Sequence, residues 1–334
     1  MQKNEITHIR VLATILVVLG HSMIIYDPSW NTFSTPYTSN FFFIVKQFIN
    51  IIQMPLFFII SGYLFYYTLK KHKYNSFKDL VKDKFKRLYI PFLFVCVFWL
   101  IPIRFFVNYQ PYIKVGFAKA LLLAISGLDS GHLWFLPTLF FIFCIMYLTC
   151  SERLKLNDKM KFLIFVIAHF LSFLLPSALF IGYISKYLIY FFIGYYWSKN
   201  NINFTFHIPV LLLTIIATII SLILCICISA SKVNLLIQVV LNLPSSIGIA
   251  YMLFVAFKKL KVGKFEQFIN KNSFAIYLFH SPVIYICYKF LSNLSPYILV
   301  PLNVCISISV ALLLAFIVRK LHLNFLIGEN KNKA

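Results

Sequence analysis

Two residues of the first apolar run, Arg10 and His21, have side chains that can do chemistry. In a helix, the eleven-residue step from one to the other turns the chain by about 1100°, so both side chains lie on one face. They are then about 16 Å apart along the helix axis. A neutral imidazole can take up and release a proton, and a guanidinium can bind a phosphate or a polarised carbonyl oxygen. The simpler interpretation is that Arg10 snorkels to the inner membrane surface and His21 hydrogen-bonds a neighbouring helix.

Two later segments hold further polar candidates. Asp129, His132 and Trp134 lie together at the start of an apolar run, and His280 lies inside another such run. Trp at such a position is often an interfacial anchor, and a buried His often makes only an interhelical hydrogen bond. From the residues alone, these structural roles and a role at a binding site both remain open.

The elements that position these residues are predicted to be membrane helices. Hydrophobic residues make up 61% of the chain and charged residues 12%, which is far more apolar than the roughly 45–50% and 25% of soluble domains. The apolar runs predict an all-α polytopic bundle of about ten transmembrane helices. The predicted spans are residues 7–26, 44–67, 88–108, 132–150, 161–180, 186–198, 208–229, 234–257, 273–291 and 297–318.

The formal net charge of +22 comes from Lys and Arg residues whose distribution along the chain agrees with the predicted spans. Of the 31 Lys and Arg residues, 24 fall in connections on one side of the membrane. This bias predicts cytosolic N- and C-termini. The protein is therefore expected to be a multi-pass protein of the cell membrane, in contact with membrane lipids. Nucleic-acid binding is not expected, because the basic residues lie between apolar runs and do not form one folded patch. No metal is expected, since the Cys and His residues lack metal-ligand spacing.

Five segments together resemble acyltransferase family 3, a family of integral membrane proteins. The first is the Arg10–His21 pair, which matches the family's Arg-x10-His signature. The second is MPLFFIISGYLF at 54–65, and the third is the basic helix start DKFKRLYIPF at 83–92. GHLWFLPTLF at 131–140 and NSFAIYLFHSPV at 272–283 follow in the family's order, so the resemblance covers nearly the whole chain.

The resemblance implies transfer of an acyl group, usually acetyl, from cytosolic acetyl-CoA to a carbohydrate hydroxyl on the outer side. His21 and Arg10 would then be catalytic, with His21 as the base for the hydroxyl. The phosphates of CoA would bind Arg10 and the basic segment that holds Arg87, Lys86 and Lys84, although positive-inside bias alone accounts for most of that segment. The expected acceptor-binding residues are His132, Trp134, Asp129 and His280.

The chain is expected to be one membrane domain over 1–334, with no appended soluble domain. A transporter or exporter of a glycan or lipid-linked sugar is the alternative, since it also needs many helices and outer aromatic residues. Related halves and broken mid-membrane helices would favour that alternative, and neither is clear in the sequence. The acceptor, the acylated position and the oligomeric state are left open.

Overall fold

The computed structural model describes residues 4–150, 156–227 and 232–329. Within these ranges the chain forms helices and turns, with no strand. Both chain termini lie outside them, as do the basic residues Lys3, Arg153, Lys155, Lys331 and Lys333. The helices are α1 (Asn4–Met23), α2 (Asn40–Lys70), α3 (Phe77–Phe106), α4 (Phe117–Ile125), α5 (Phe135–Cys150), α6 (Asp158–Leu171), α7 (Ile181–Lys199), α8 (Ile208–Cys227), α9 (Lys232–Phe257), α10 (Lys264–Leu291) and α11 (Pro296–Lys320).

The predicted all-α polytopic bundle is confirmed. Each predicted span overlaps a helix, although residues 228–229 of the span 208–229 lie outside the described ranges. Among the described residues, eight helices are long and apolar enough to cross a membrane: α1, α2, α3, α5 with its preceding turn, α7, α9, α10 and α11. Helix α6 differs from the predicted span 161–180, because it ends at Leu171 after 14 residues. At about 21 Å it is shorter than a hydrocarbon layer of about 30 Å.

Prolines inside the helices free backbone carbonyl groups, and neighbouring side chains bond them. A proline has no N–H to give to the carbonyl four residues earlier. Pro55 of α2 therefore frees the carbonyl of Ile51, which accepts a 2.6 Å hydrogen bond from the Ser246 hydroxyl of α9. Such replacement bonds allow a continuous helix that contains a proline to lie in a membrane interior, where water is absent.

Helices α2 and α7 pack backbone against backbone at two glycines. A Cβ atom on Gly62 would lie 1.9 Å from the carbonyl oxygen of Phe191, and one on Gly194 would lie 1.9 Å from that of Ile59. Any larger residue would therefore push the helices apart. Gly62 of the segment at 54–65 thus serves close helix packing.

Helix α1 lies at the centre of the bundle, in contact with α2, α9, α10 and α11. Its two candidate residues both face α10. The guanidinium of Arg10 donates to Oδ1 of Asn270 at 3.0 Å, and the ring of His21 meets the ring of His280, whose centroid is 5.0 Å away. The common face predicted for Arg10 and His21 is therefore present in the fold.

Candidate active site

Three histidine rings from distant parts of the chain form one cluster inside the bundle. His21 comes from α1, His132 from the turn before α5, and His280 from α10. The ring centroids are 5.0 Å apart for His21 and His280, 5.1 Å for His132 and His280, and 6.2 Å for His21 and His132. Three of the residues that the sequence singled out thus lie within direct contact of one another.

The hydrogen bonds of His21 fix which ring nitrogen carries its proton. Nδ1 lies 2.8 Å from the carbonyl oxygen of Val17 and 3.3 Å from Nε2 of His280. A carbonyl can only accept, so in the neutral ring the proton is on Nδ1. Nε2 therefore keeps its lone pair, and none of the described residues hydrogen-bonds it. The backbone carbonyl of His21 is in turn held by the Tyr288 hydroxyl at 2.6 Å.

His280 is fully buried and is oriented in the same way. Its Nδ1 lies 3.0 Å from the carbonyl of Ile276 and 2.8 Å from that of Tyr277, so its proton is also on Nδ1. Nε2 is then an acceptor directed at Nδ1–H of His21. His280 therefore contacts the candidate base directly and is able to hold that ring in place.

His132 is bound through a carbonyl that a proline has freed. Pro282 cannot bond the carbonyl of Leu278, four residues earlier on α10, and this oxygen accepts a 3.0 Å hydrogen bond from Nε2–H of His132. Nδ1 of His132 is then an acceptor, and it is buried with no partner among the described residues. The Tyr277 hydroxyl donates to the backbone carbonyl of His132 and fixes this turn to α10.

Asp129 is held by a buried arginine that the sequence analysis did not single out. Arg104 is 1% exposed, and its Nη1 lies 3.1 Å from Oδ1 of Asp129 and 2.9 Å from the Tyr112 hydroxyl. A Cβ atom on Gly131, whose φ is +54°, would lie 2.6 Å from Nη2 of Arg104. The carboxylate of Asp129 is thus engaged in an ion pair that shapes the turn leading to His132.

Trp134 forms an aromatic stack beside the histidines. Its ring lies 4.3 Å from that of Tyr183 and 5.2 Å from that of Tyr187, both nearly parallel to it. Trp134, His21 and His132 line one cavity of about 340 Å³. The amide side chains that line the same cavity are those of Gln47, Asn50, Gln53, Gln238 and Asn242.

The candidate donor-binding residues lie towards the other end of α1. Arg10 and the exposed Arg87 are close enough for their charges to repel each other, and Lys86 is exposed nearby. Lys84 is placed differently: it is buried, with Nζ 3.7 Å from the centre of the Phe143 ring on α5. Of these basic residues, Arg87 is thus within electrostatic reach of Arg10, whereas Lys84 is directed towards another helix.

Sequence reasoning missed several residues of the site. Arg104 was not singled out, although an arginine at the end of an apolar run is a signal in itself. Pro282 stands two positions after His280 and marks the freed carbonyl. The amides at 47, 50 and 53 interrupt an apolar run at three-residue spacing, which is the pattern of one helix face.

Fold and site together define a polytopic helical membrane protein with a buried histidine base, a polar cavity and a pair of arginines towards the opposite surface. The family model of acyltransferase family 3, described as an acyltransferase domain, matches residues 3–320. The chain therefore belongs to this family and is a membrane acyltransferase. Comparison with curated proteins and with solved structures finds no match. Family membership favours acyl transfer over the transporter alternative.

Proposed function

We propose that the protein transfers an acetyl group from cytosolic acetyl-CoA to a hydroxyl group of an envelope polysaccharide or another extracytoplasmic glycan. The observation that carries this proposal is the environment of His21. Nδ1 is committed to the Val17 carbonyl and His280, while the lone pair of Nε2 has no partner among the described residues and lies beside a polar cavity. A neutral imidazole in this state is suited to take a proton from a hydroxyl group.

The donor is proposed to enter from the side of Arg10 and Arg87. Two neighbouring guanidinium groups repel each other, and an anion bound between them would relieve that repulsion. The phosphates of CoA supply this anion. Because Arg10 and His21 are about 16 Å apart along α1, the extended pantetheine arm would carry the thioester from the arginines towards the histidines.

In the proposed step, Nε2 of His21 takes the proton of the acceptor hydroxyl as its oxygen forms a bond to the thioester carbonyl carbon. The carbon–sulfur bond then breaks, and the CoA thiolate takes the proton back from His21. The products are the acetyl ester and CoA thiol, so no oxidant or further reactant is needed. Lys186, which also lines the cavity, is proposed to donate an N–H to the transient oxyanion.

His280 and His132 have separate proposed roles. Nε2 of His280 accepts from Nδ1–H of His21, which stabilises the imidazolium formed during the step. His132 offers its unpartnered Nδ1 to a second hydroxyl of the acceptor. Trp134 offers a flat aromatic surface to a sugar ring.

The test replaces His21 with Gln, which keeps hydrogen-bonding groups but cannot take a proton at neutral pH. We expect transfer of labelled acetyl from acetyl-CoA to fall by about 10²- to 10⁴-fold, with acetyl-CoA binding retained. His207→Gln is the matched control, because His207 is exposed and its side chain hydrogen-bonds the neighbouring Thr205, far along the chain from the histidine cluster. Near-normal transfer by His21→Gln would eliminate the base assignment.

A second measurement tests the reaction itself. Envelope glycans from cells with and without the gene are compared by mass spectrometry. Loss of acetyl groups from one glycan supports the proposal and identifies the acceptor. Movement of a glycan across proteoliposome membranes without consumption of acetyl-CoA would instead support the transporter alternative.

A further inference from the structure

A row of three amide side chains leads along α2 to the candidate base. Nε2 of Gln53 donates to Oδ1 of Asn50 at 3.1 Å, and Nδ2 of Asn50 donates to Oε1 of Gln47 at 3.3 Å. The three residues, here called the amide ladder, are spaced three apart and span about 9 Å of helix. Amides in an apolar helix are costly unless they have hydrogen-bond partners. The two bonds within the ladder use only part of the donors and acceptors of the three amides, so we expect a polar ligand or water beside it.

The inner end of the amide ladder lies against α1 next to His21. A Cβ atom on Gly20 would lie 3.1 Å from Oε1 of Gln53, so the glycine leaves room for this amide. Gln53 is 9% exposed, and its Oε1 is buried with no partner among the described residues. This oxygen is therefore an acceptor that still lacks a donor.

The cavity thus holds three hydrogen-bond acceptors that have no donor among the described residues. They are Oε1 of Gln53, Nδ1 of His132 and Nε2 of His21, and all three residues line the cavity of about 340 Å³. None of these atoms has a hydrogen-bond donor within the described part of the protein. A ligand that satisfies all three must present several O–H or N–H groups close together, and the hydroxyl groups of a sugar ring do so.

The outer end of the amide ladder reaches a second cavity. Nε2 of Gln47 lies 3.5 Å from Oδ2 of Asp27, and Asp27 lines a groove of about 460 Å³ together with Trp30 and Tyr37. The remaining lining includes Asn31, Ser34, Thr35, Thr38 and Ser39, which offer amide and hydroxyl groups. Aromatic rings and short polar side chains together suit sugar rings, which have both apolar faces and hydroxyl edges.

We propose that the amide ladder is an acceptor subsite for an oligosaccharide chain, which the outer groove holds while one sugar enters the inner cavity. Gln53 and His132 accept hydroxyl hydrogens of the entering sugar and direct another hydroxyl to Nε2 of His21. This proposal rests on the proposed function, because it assigns the acceptor of that reaction. Water molecules are the other possible source of the missing donors, and the experiment separates the two.

The test measures binding of cellotetraose, maltotetraose and chitotetraose to the purified full-length protein by the fluorescence of its tryptophans, including Trp134. Gln53→Leu keeps the size of the side chain but removes the acceptor, so oligosaccharide affinity should fall by about 5- to 10-fold or more. Acetyl-CoA affinity should stay unchanged. Gln53→Met is a second variant with an unbranched side chain, for use if Leu disturbs the contact with Gly20. Gln267→Leu, at an exposed position of α10, is the matched control.

The outcomes distinguish the two proposals. The subsite is supported if both Gln53 variants bind oligosaccharide more weakly and the control is unchanged. If the wild-type protein then transfers no acetyl group, only the proposed function fails. Wild-type binding of none of the three oligosaccharides overturns the subsite and leaves water as the occupant. Oligosaccharide affinity that is the same in both Gln53 variants and the wild type also overturns it.

Discussion

Replacing His280 tests whether this buried residue positions His21, the proposed base. Nε2 of His280 is the acceptor 3.3 Å from Nδ1 of His21, so His280→Phe removes the acceptor and keeps a flat ring of similar size. A hydrogen bond to a charged group contributes about 1.5–3 kcal/mol, and the imidazolium of His21 carries charge only while it holds the transferred proton. The loss therefore raises the barrier by that amount, which lowers kcat by about 10- to 150-fold.

The assay follows labelled acetyl transfer over a range of acetyl-CoA and acceptor concentrations. A positioning role lowers kcat and leaves the KM for acetyl-CoA nearly unchanged, because His280 does not touch the arginines proposed to bind the donor. His280→Gln restores an acceptor oxygen and should recover part of the rate, whereas a residue that only fills space would be replaced better by Phe than by Gln. Equal rates for wild type and His280→Phe would refute the positioning role.

Three further predictions concern donor binding, topology and acid stability. Arg10→Ala should weaken acetyl-CoA binding about 10-fold or more, because a charge-assisted contact is lost. Equilibrium binding measures this change. Unchanged binding in the folded variant would leave Arg10 as a topological anchor. In a background without native cysteines, Lys82→Cys should be shielded from impermeant thiol reagents in intact cells, and Lys114→Cys should be labelled. The reverse pattern would contradict the predicted orientation. Burial would raise the pKa of Asp27, but hydrogen bonds from Lys46 and Ser29 outweigh this effect and hold the pKa below its ordinary value. The Asp27–Lys46 ion pair therefore stabilises the fold above the unfolded pKa of about 4. This stabilisation is lost as the pH falls through the folded pKa. Thermal melting of wild type and Asp27→Asn at falling pH measures this, and an equal acid dependence of the two contradicts it.

Local patterns determine how much of this protein can be predicted from its sequence. The helix period places Arg10 and His21 on one face, and apolar runs of sufficient length predict the helices, because both features depend on neighbouring residues only. The end of α6 at Leu171 was not predicted, because the apolar run continues past the point at which the helix breaks. Residues far apart in the chain, such as His21 and His280, come together only through helix packing, which no local pattern specifies.

The neutral character of the histidine cluster suits its place inside a membrane protein. A carboxylate in the position of His280 would also orient His21, but it would carry a charge in the resting state, and a buried charge without a full partner is costly. His280 and His132 instead each donate one N–H to backbone carbonyls, so both rings are oriented in the resting cluster without a net charge. In the proposed step, charge develops on His21 only when a hydroxyl gives up its proton, and Nε2 of His280 is then in position to stabilise that charge. The described residues that line the cavity include no carboxylate, as this arrangement requires.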